Sequence, residues 1–488
     1  MDFSMNLDEI DELAKLITSS VATLKDLKDR NADENEDDKR QDEVDASKMR
    51  IACSCITSAA AQLMTLVRSP EQVVFDMAMS FHLPSALRLV IESHVPEILR
   101  AKNDGAGAHV DDISKINGVN AQKLGHVLRL LATHYVFDEA EPNVFANNRL
   151  SESIDTGVSL EGVLSRPLEK YDSKNGGFAA LVAVTTHESM RNGLFMTDAL
   201  TDPTLTDSFM PEDSPFSLAM WPGSTCFGVA DQVVKRLDMF EWMNTALENR
   251  WRLTRFGNAM EGVSRLTPPD AILKGFRWSD LSSDSVVVDV GGGIGSASLP
   301  IVVHTPVKLI IQDRGIVLED ATKYWQEHCP NALESGRVTF VDHDFFEPQP
   351  STACDGHPTV FLLRMIMHNW ADEHAKIILK HIRDAAKDTT KLVIVDGLLE
   401  SACRTPAAEE VQGQKKGSKP PQPLLSNWGA ANGMAYKFDI QMLCNHNAGE
   451  RTLDEFDRLL AETGWRIVEV YQSQQSWMPQ IVAIPNGS

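Results

Sequence analysis

Basic residues are scarce in this chain. Its 488 residues carry 46 Lys and Arg against 69 Asp and Glu, a formal net charge of −23. A surface of that sign repels nucleic-acid phosphates and anionic lipid headgroups, so neither nucleic acid nor a membrane surface is an expected partner. Cysteine is also sparse. The seven cysteines are odd in number and scattered, with no repeated CxxC and no Cys/His metal spacing. That argues against a disulfide framework and a zinc site and leads us to expect a metal-free protein in a reducing, cytoplasmic compartment. No run of about 18 uninterrupted apolar residues occurs, so no membrane span is expected. The N-terminus, MDFSMNLDEIDELAKL, lacks the basic and apolar regions of a signal peptide.

What is present is the composition of a globular protein, 43% hydrophobic and 24% charged. At about 150 residues per domain the length suggests two or three domains, and the patterning favours two, 1–280 and 281–488. In the first, Leu7, Ile10, Leu13, Ile17, Val21 and Leu24 recur at gaps of three and four, one stripe of a helix. The tract 29–45 then holds nine acids and three bases and reads as a solvated, disordered loop. From 109 to 151 the chain parses as a helix near Asp111 to Ile116, a turn at Asn117-Gly118, and a helix from Asn120 to Thr133. Strands near Tyr135 to Asp138 and Val144 to Ala146 follow, a winged helix-turn-helix layout. The second helix offers only Lys123 and Arg129 as basic residues, while Leu124, Val127, Leu128, Leu130 and Leu131 want burial. A packing or dimerisation face fits better than a DNA-reading one. Residues 151–280 are helical and rich in Met, Phe and Trp, as core or as pocket lining.

The pattern changes at Ser285. Apolar runs at 285–291, 308–313, 337–344, 359–365 and 391–398 alternate with helical stretches such as 371–386. That is the signature of an α/β fold with a parallel sheet covered on both faces. Thr452 and Glu455 make a capping box for a helix that Gly464 closes. The last two strands, 465–472 and 480–485, are separated by too few residues for a crossover and must pair antiparallel. Residues 403–427, polar and rich in Pro, Gly and Lys, read as a mobile insertion.

Two constellations carry chemistry. The run Asp289-Val-Gly291-Gly-Gly293-Ile-Gly295 lies where a strand meets a helix, and its glycines allow a sharp turn and close approach of a ligand. Ser296 stands where a dinucleotide fingerprint needs glycine. Asp313 ends the second strand, placed for a ribose, and Asp344-Phe345 ends the third, placed for an adenine. The acidic surroundings suit a cationic sulfonium better than a diphosphate, which favours S-adenosylmethionine over a nicotinamide dinucleotide. The second constellation is Arg364-Met-Ile-Met-His368-Asn-Trp370 after the fourth strand. His368 lies on the ligand-binding edge as a neutral base near pH 7. Either Asp396 or Glu450 is available to hold its other ring nitrogen.

With these motifs the chain resembles the S-adenosylmethionine-dependent O-methyltransferases of the plant caffeate type and their fungal secondary-metabolism relatives. The segments that carry the resemblance are VDVGGGIG, QDR, HDFF, LLRMIMHNWADE, VIVDGLL and NAGERTLDEF. It implies an N-terminal helical, winged-helix dimerisation domain (1–280) that also lids the substrate, a C-terminal Rossmann-like catalytic domain (281–488), and a homodimer. It implies cofactor contacts from Gly291, Gly293, Asp313, Arg314, Asp344, Phe345 and Arg364, with S-adenosylhomocysteine as product. It implies His368 as general base flanked by Asp396 and Glu450, and a small aromatic substrate walled by Phe256, Met260, Trp370 and Met442, with Ser264 nearby. The chain departs from the plant pattern at Arg364 (Lys there), Asp396 (Glu) and Asn369 (Asp).

The reaction so implied is methyl transfer to a hydroxyl. A phenol has a pKa near 10 and needs a base at neutral pH. Three alternatives remain: a non-methylating, pericyclase-type step on the same scaffold, a non-catalytic winged-helix binding protein, and a nicotinamide oxidoreductase.

Overall fold

The computed structural model describes residues 6–33, 39–102, 106–173, 175–220, 236–245, 250–268, 270–350, 357–403, 419–472 and 477–487. The fold is α/β, in two compact units. A helical unit comprises 75–267 with 443–447, and a sheet unit comprises 1–74, 268–442 and 448–488. The boundary expected at 280 therefore falls at 267/268, and residues 1–74 group with the sheet rather than with the helical unit.

In the helical unit the local signals act as read. Helix Val110–Asn117 ends on Gly118 at φ +74°, a left-handed conformation suited to glycine. The Asn120 side chain accepts the Lys123 N–H at 3.2 Å and starts helix Ala121–Thr133. Strands β1 (Ala108–His109), β2 (Asp138–Glu141) and β3 (Val144–Ala146) form a sheet in the order β1-β3-β2. β2 starts three residues later than expected, since Tyr135 is at φ +64° and outside extended geometry. Leu124, Leu128, Leu131, Phe137 and Phe145 are buried in one core. Arg129 is held by Glu139 (3.3 Å) and Asn143 (2.8 Å), so this helix presents a packing face.

Helices Gly176–Val184 and Arg250–Val263 cross at two glycines. A Cβ on Gly262 would overlap the Gly177 carbonyl oxygen. The close crossing fixes the helix that carries Phe256 and Met260. Nearby, Phe216, Met239 and Met243 are buried together, the core reading of this Met- and Phe-rich stretch.

In the sheet unit, β4 (Val286–Val290), β5 (Lys308–Asp313), β6 (Val338–Asp342), β7 (Val360–Arg364) and β8 (Lys391–Val395) are parallel. A short parallel bridge joins β9 (Leu398–Leu399) to β10 (Arg451–Thr452). The last strands, β11 (Trp465–Tyr471) and β12 (Gln480–Pro485), pair antiparallel as expected, and β12 alone reverses within the seven-stranded order β11-β12-β8-β7-β4-β5-β6. Every residue of β4 is buried, which is why its sequence is continuously apolar apart from Asp289. The Thr452/Glu455 capping box forms in both directions, at 3.3 and 2.8 Å, and Gly464 follows its helix at φ +84°.

The acidic tract differs from its expectation. Helix Leu7–Asp33 runs into it, helix Lys39–Leu66 begins inside it, and 34–38 lie outside the described residues. Its last acid, Asp45, is buried between Arg30 (3.9 Å) and Lys48 (3.6 Å). The apolar stripe is only partly used: Leu13 is buried against Cys55, Ala59 and Leu424, while Leu7 is exposed. Of the insertion, 404–418 lie outside the described residues, whereas Leu424, like Trp428 just after it, packs on the N-terminal helices. The stretches Val44–Leu66 and Pro70–Glu92 are long and apolar enough, by length and composition alone, to cross a membrane, with mean hydropathies of 1.2 and 1.3. The first lies in the second of those helices.

Candidate active site

The carboxyl ends of β4, β5, β7 and β8 bring the expected residues to one edge of the sheet. Gly291, Gly293 and Gly295 sit at φ +67°, +60° and +77°. A Cβ on Gly291 would come within 2.5 Å of Ile366 Cδ1, and one on Gly295 would overlap Ile311 Cδ1. Nothing lies within 4 Å of the Cβ position of Gly293. Two glycines thus serve packing, and the middle one leaves open space where a ligand can approach the backbone.

The Asp313 carboxylate is already oriented, accepting the Gly293 N–H and the Arg314 N–H, each at 2.8 Å. Each oxygen keeps a lone pair for a ribose hydroxyl. Burial raises the Asp313 pKa against those two hydrogen bonds. Asp289 is buried and pushed up to about 6 by desolvation, countered by the Ser298 hydroxyl at 2.7 Å and by the Arg364 charge. Phe345 stands beside Gly291, edge-on to Phe346 (5.1 Å between centroids) and Trp370 (5.9 Å). Asp344 and Arg314 are exposed, and the Asp344 carboxylate accepts the Phe346 N–H at 2.9 Å. Open space at Gly293, a preset carboxylate and an aromatic edge fit an adenosyl group, and the nearby acids fit a sulfonium.

β7 ends at Arg364, which is half-buried between the charges of Asp289 and Asp396, with burial lowering its pKa. Met365 then adopts φ +56°, rare for a residue with a Cβ, and a 3-10 turn Met367–Asn369 carries His368. His368 is 3% exposed, and its Nδ1 lies 2.7 Å from Glu450 Oε1. Asp396 does not take the ring. Its Oδ2 accepts the Met367 N–H at 3.0 Å, and its buried Oδ1 has no partner among the described residues. Of the two acids that sequence left open, Glu450 is the one that orients the imidazole. Asp, one methylene shorter than the plant Glu, is used on the backbone instead.

Burial disfavours the imidazolium, yet the charges of Asp396 and Glu450 and the Glu450 hydrogen bond outweigh it and raise the His368 pKa. Burial in turn pushes Asp396 up to about 6 against the pull of His368.

A family profile described as the O-methyltransferase domain matches residues 226–466. The chain is 38% identical to an O-methyltransferase of Armillaria gallica over 89% of each chain, and 36% identical to the 4-O-methyltransferase 1 of Phanerochaete chrysosporium over the same shares. The chain belongs to the S-adenosylmethionine-dependent O-methyltransferases. Its fold also matches the solved LepI complex with S-adenosylmethionine at a TM-score of 0.63 and 17% identity, over 96% of this chain and 100% of that one. At that identity the likeness is one of fold alone.

On the acceptor side, this methyltransferase buries Met442 on helix Gly433–His446, one turn after Phe438. Phe256, half-buried against Phe240, and the exposed Met260 belong to the helical unit, so neither unit by itself brings Met260 and Met442 together. Trp370, expected in the substrate wall, packs instead with Phe345, Phe346 and His374. The Ser264 side chain lies outside the described residues.

Three contributors were missed from sequence. Gly397 has Glu450 Oε2 and Trp477 against it, at 2.8 and 3.0 Å from its Cβ position, so a side chain there would displace the carboxylate that holds His368. Trp477, stacked on Phe438 at 4.7 Å, closes that side. Arg451, adjacent to Glu450, is buried and fully engaged. A glycine after a strand-end acid and an arginine beside a functional Glu were the available signals.

Proposed function

We propose that this O-methyltransferase methylates a phenolic hydroxyl of an aromatic small molecule, with His368 as general base. The observation that carries the reading is the buried His368–Glu450 pair at 2.7 Å on the strand-end edge that also presents the glycine loop. When bound, S-adenosylmethionine supplies an electrophilic methyl group. The chain's own part is to hold it and to free a nucleophile. Asp313 and the Gly291–Gly295 loop hold the adenosyl end. Glu450 fixes the imidazole with its Nδ1–H donating, so that Nε2 is the nitrogen that takes the phenolic proton. Glu450 and Asp396 then stabilise the imidazolium. The test is a mass-read panel of simple phenols, hydroxybenzoates and hydroxyanthraquinones with the methyl donor. A product heavier by one methyl, with matching S-adenosylhomocysteine, is the expected result. Acceptor transformation without S-adenosylhomocysteine would move the enzyme to the non-methylating class.

A second copy as partner is supported by the surface. Helix Pro70–Met79 has no buried residue, and Val74, Phe75 and Met77 are 66%, 66% and 64% exposed. Large exposed apolar side chains grouped on one short helix suit an interaction surface. Its flanking acids, Glu71 and Asp76, do not favour an anionic membrane. Light scattering should give a dimer for the wild type and a monomer for the Val74→Asp/Phe75→Asp variant. A monomeric wild type refutes the dimer.

A further inference from the structure

The turn that carries His368 begins at a left-handed Met365 and runs as a short 3-10 segment, whose own bonds are Asn369 N–H to the Ile366 carbonyl (3.1 Å), Trp370 N–H to the Met367 carbonyl (3.3 Å) and the Asn369 side-chain amide to the Met365 carbonyl (3.0 Å). Further bonds to it come from elsewhere in the sheet unit. The Met367 N–H is taken by Asp396 Oδ2 at 3.0 Å. The Met367 carbonyl is taken by Arg451 Nη1 at 2.8 Å, and the Trp370 carbonyl by Arg451 Nη2 at 2.7 Å. The same guanidinium is anchored by Asp372 Oδ1, which accepts from Nε at 3.0 Å and Nη2 at 2.9 Å. Arg451 is 6% exposed and lies against the ring of Phe456 at 5.8 Å. Its backbone is pinned in turn, because Arg451 pairs with Leu398 in the β9–β10 bridge.

Two neighbouring residues therefore divide the work on one turn. Glu450 holds the His368 ring, and Arg451 holds the peptide groups on either side of it. We propose that Arg451 is a positioning residue of the transfer reaction. Its planar fork spans the Met367 and Trp370 carbonyls and so sets where the His368 imidazole points. The fork is what matters, since a lysine ammonium at the same place keeps the charge but has neither the reach nor the geometry to hold both carbonyls and Asp372 together. The inference rests on His368 being the base.

The experiment compares wild type, R451K and D372A, each with bound S-adenosylhomocysteine, by amide hydrogen exchange. R451K should speed exchange of amides in 366–371 by about tenfold or more while β4 and β5 are unchanged. D372A, which removes the anchor of the fork at a half-exposed side chain, should do the same to a smaller extent, and it carries the test should R451K not melt cooperatively. Unchanged exchange at 366–371 in the folded variants, or a rise spread over the whole unit, overturns the proposal. Turnover is then measured with the fastest phenol of the panel. R451K should lose about 10²-fold in kcat with KM little changed, the size expected for a misplacement of about 1 Å, and should lose nothing further in an H368A background. An equal loss in both backgrounds assigns Arg451 to structure alone. An H368A enzyme that turns over normally removes the base, while the exchange result still decides whether Arg451 holds the turn.

Discussion

Replacing His368 by alanine is expected to lower turnover by about 10² to 10⁴-fold, the range for losing a general base, with S-adenosylmethionine affinity within a few fold of wild type. The separation follows from where the groups sit. The residues proposed to hold the adenosyl group lie on the loop after β4 and at the ends of β5 and β6, whereas His368 lies on the turn after β7, and Asp313 is held by Gly293 and Arg314 rather than by His368. The alanine also leaves Glu450 buried without its partner, which destabilises the sheet unit on its own account. His368→Asn, which returns a polar group to Glu450, separates the two effects. Both variants should bind the donor by calorimetry, and neither should release S-adenosylhomocysteine at more than a few per cent of the wild-type rate. Turnover of the alanine variant within about threefold of wild type would remove His368 from the chemistry.

Glu450→Gln should lower turnover by about 10 to 10²-fold, as expected when a charge that stabilises the developing imidazolium is lost, and should move the acid limb of the pH–rate profile to lower pH. The sign follows from the site. His368 works as a base only when neutral, so activity rises as pH passes through its pKa. That pKa is raised, against burial, by Asp396 and Glu450. Taking away the Glu450 charge leaves burial less opposed, the pKa falls, and the neutral form persists to lower pH. The limb belongs to the buried group as a whole, because Asp396, pushed up to about 6 by burial, exchanges influence with His368. A limb that stays in place or moves upward would show that Glu450 does not face the imidazolium.

Much of this architecture was legible in the sequence. The seven strands, the antiparallel finish and the caps at Gly118, Asn120 and Thr452 follow from local rules of period and turn chemistry that tertiary contacts do not override. The glycine loop, Asp313, His368 and Glu450 were legible because each ends a strand or lies in a short loop. What was not legible depended on contacts distant in sequence. The choice between Asp396 and Glu450 turned on which carboxylate meets the ring: Glu450 takes His368 Nδ1, and Asp396 takes the Met367 N–H. The membership of residues 1–74 turned on Leu13 meeting Cys55, Ala59 and Leu424. Composition misled at 29–33 and 39–45, which are helical despite their charge, with Asp45 finding two basic partners. Trp370 lies beside His368 in sequence, yet its ring belongs with Phe345 and Phe346.

The two-residue bridge between β9 and β10 bears on how this chain tolerates change in length. Leu398 pairs with Arg451 and Leu399 with Thr452, so the residues just after Asp396 are fastened to those just after Glu450. Whatever number of residues lies between 400 and 450, the two acids keep their separation, because the ends of that stretch are tied at its root. Loop-closure entropy grows only logarithmically, about 0.6 kcal/mol for each doubling of length. Insertions near 404–418 are therefore cheap in stability and silent at the acids. Deletion of Glu450 itself is the opposite case: with Arg451 still held in the bridge, the His368 ring would lose its carboxylate.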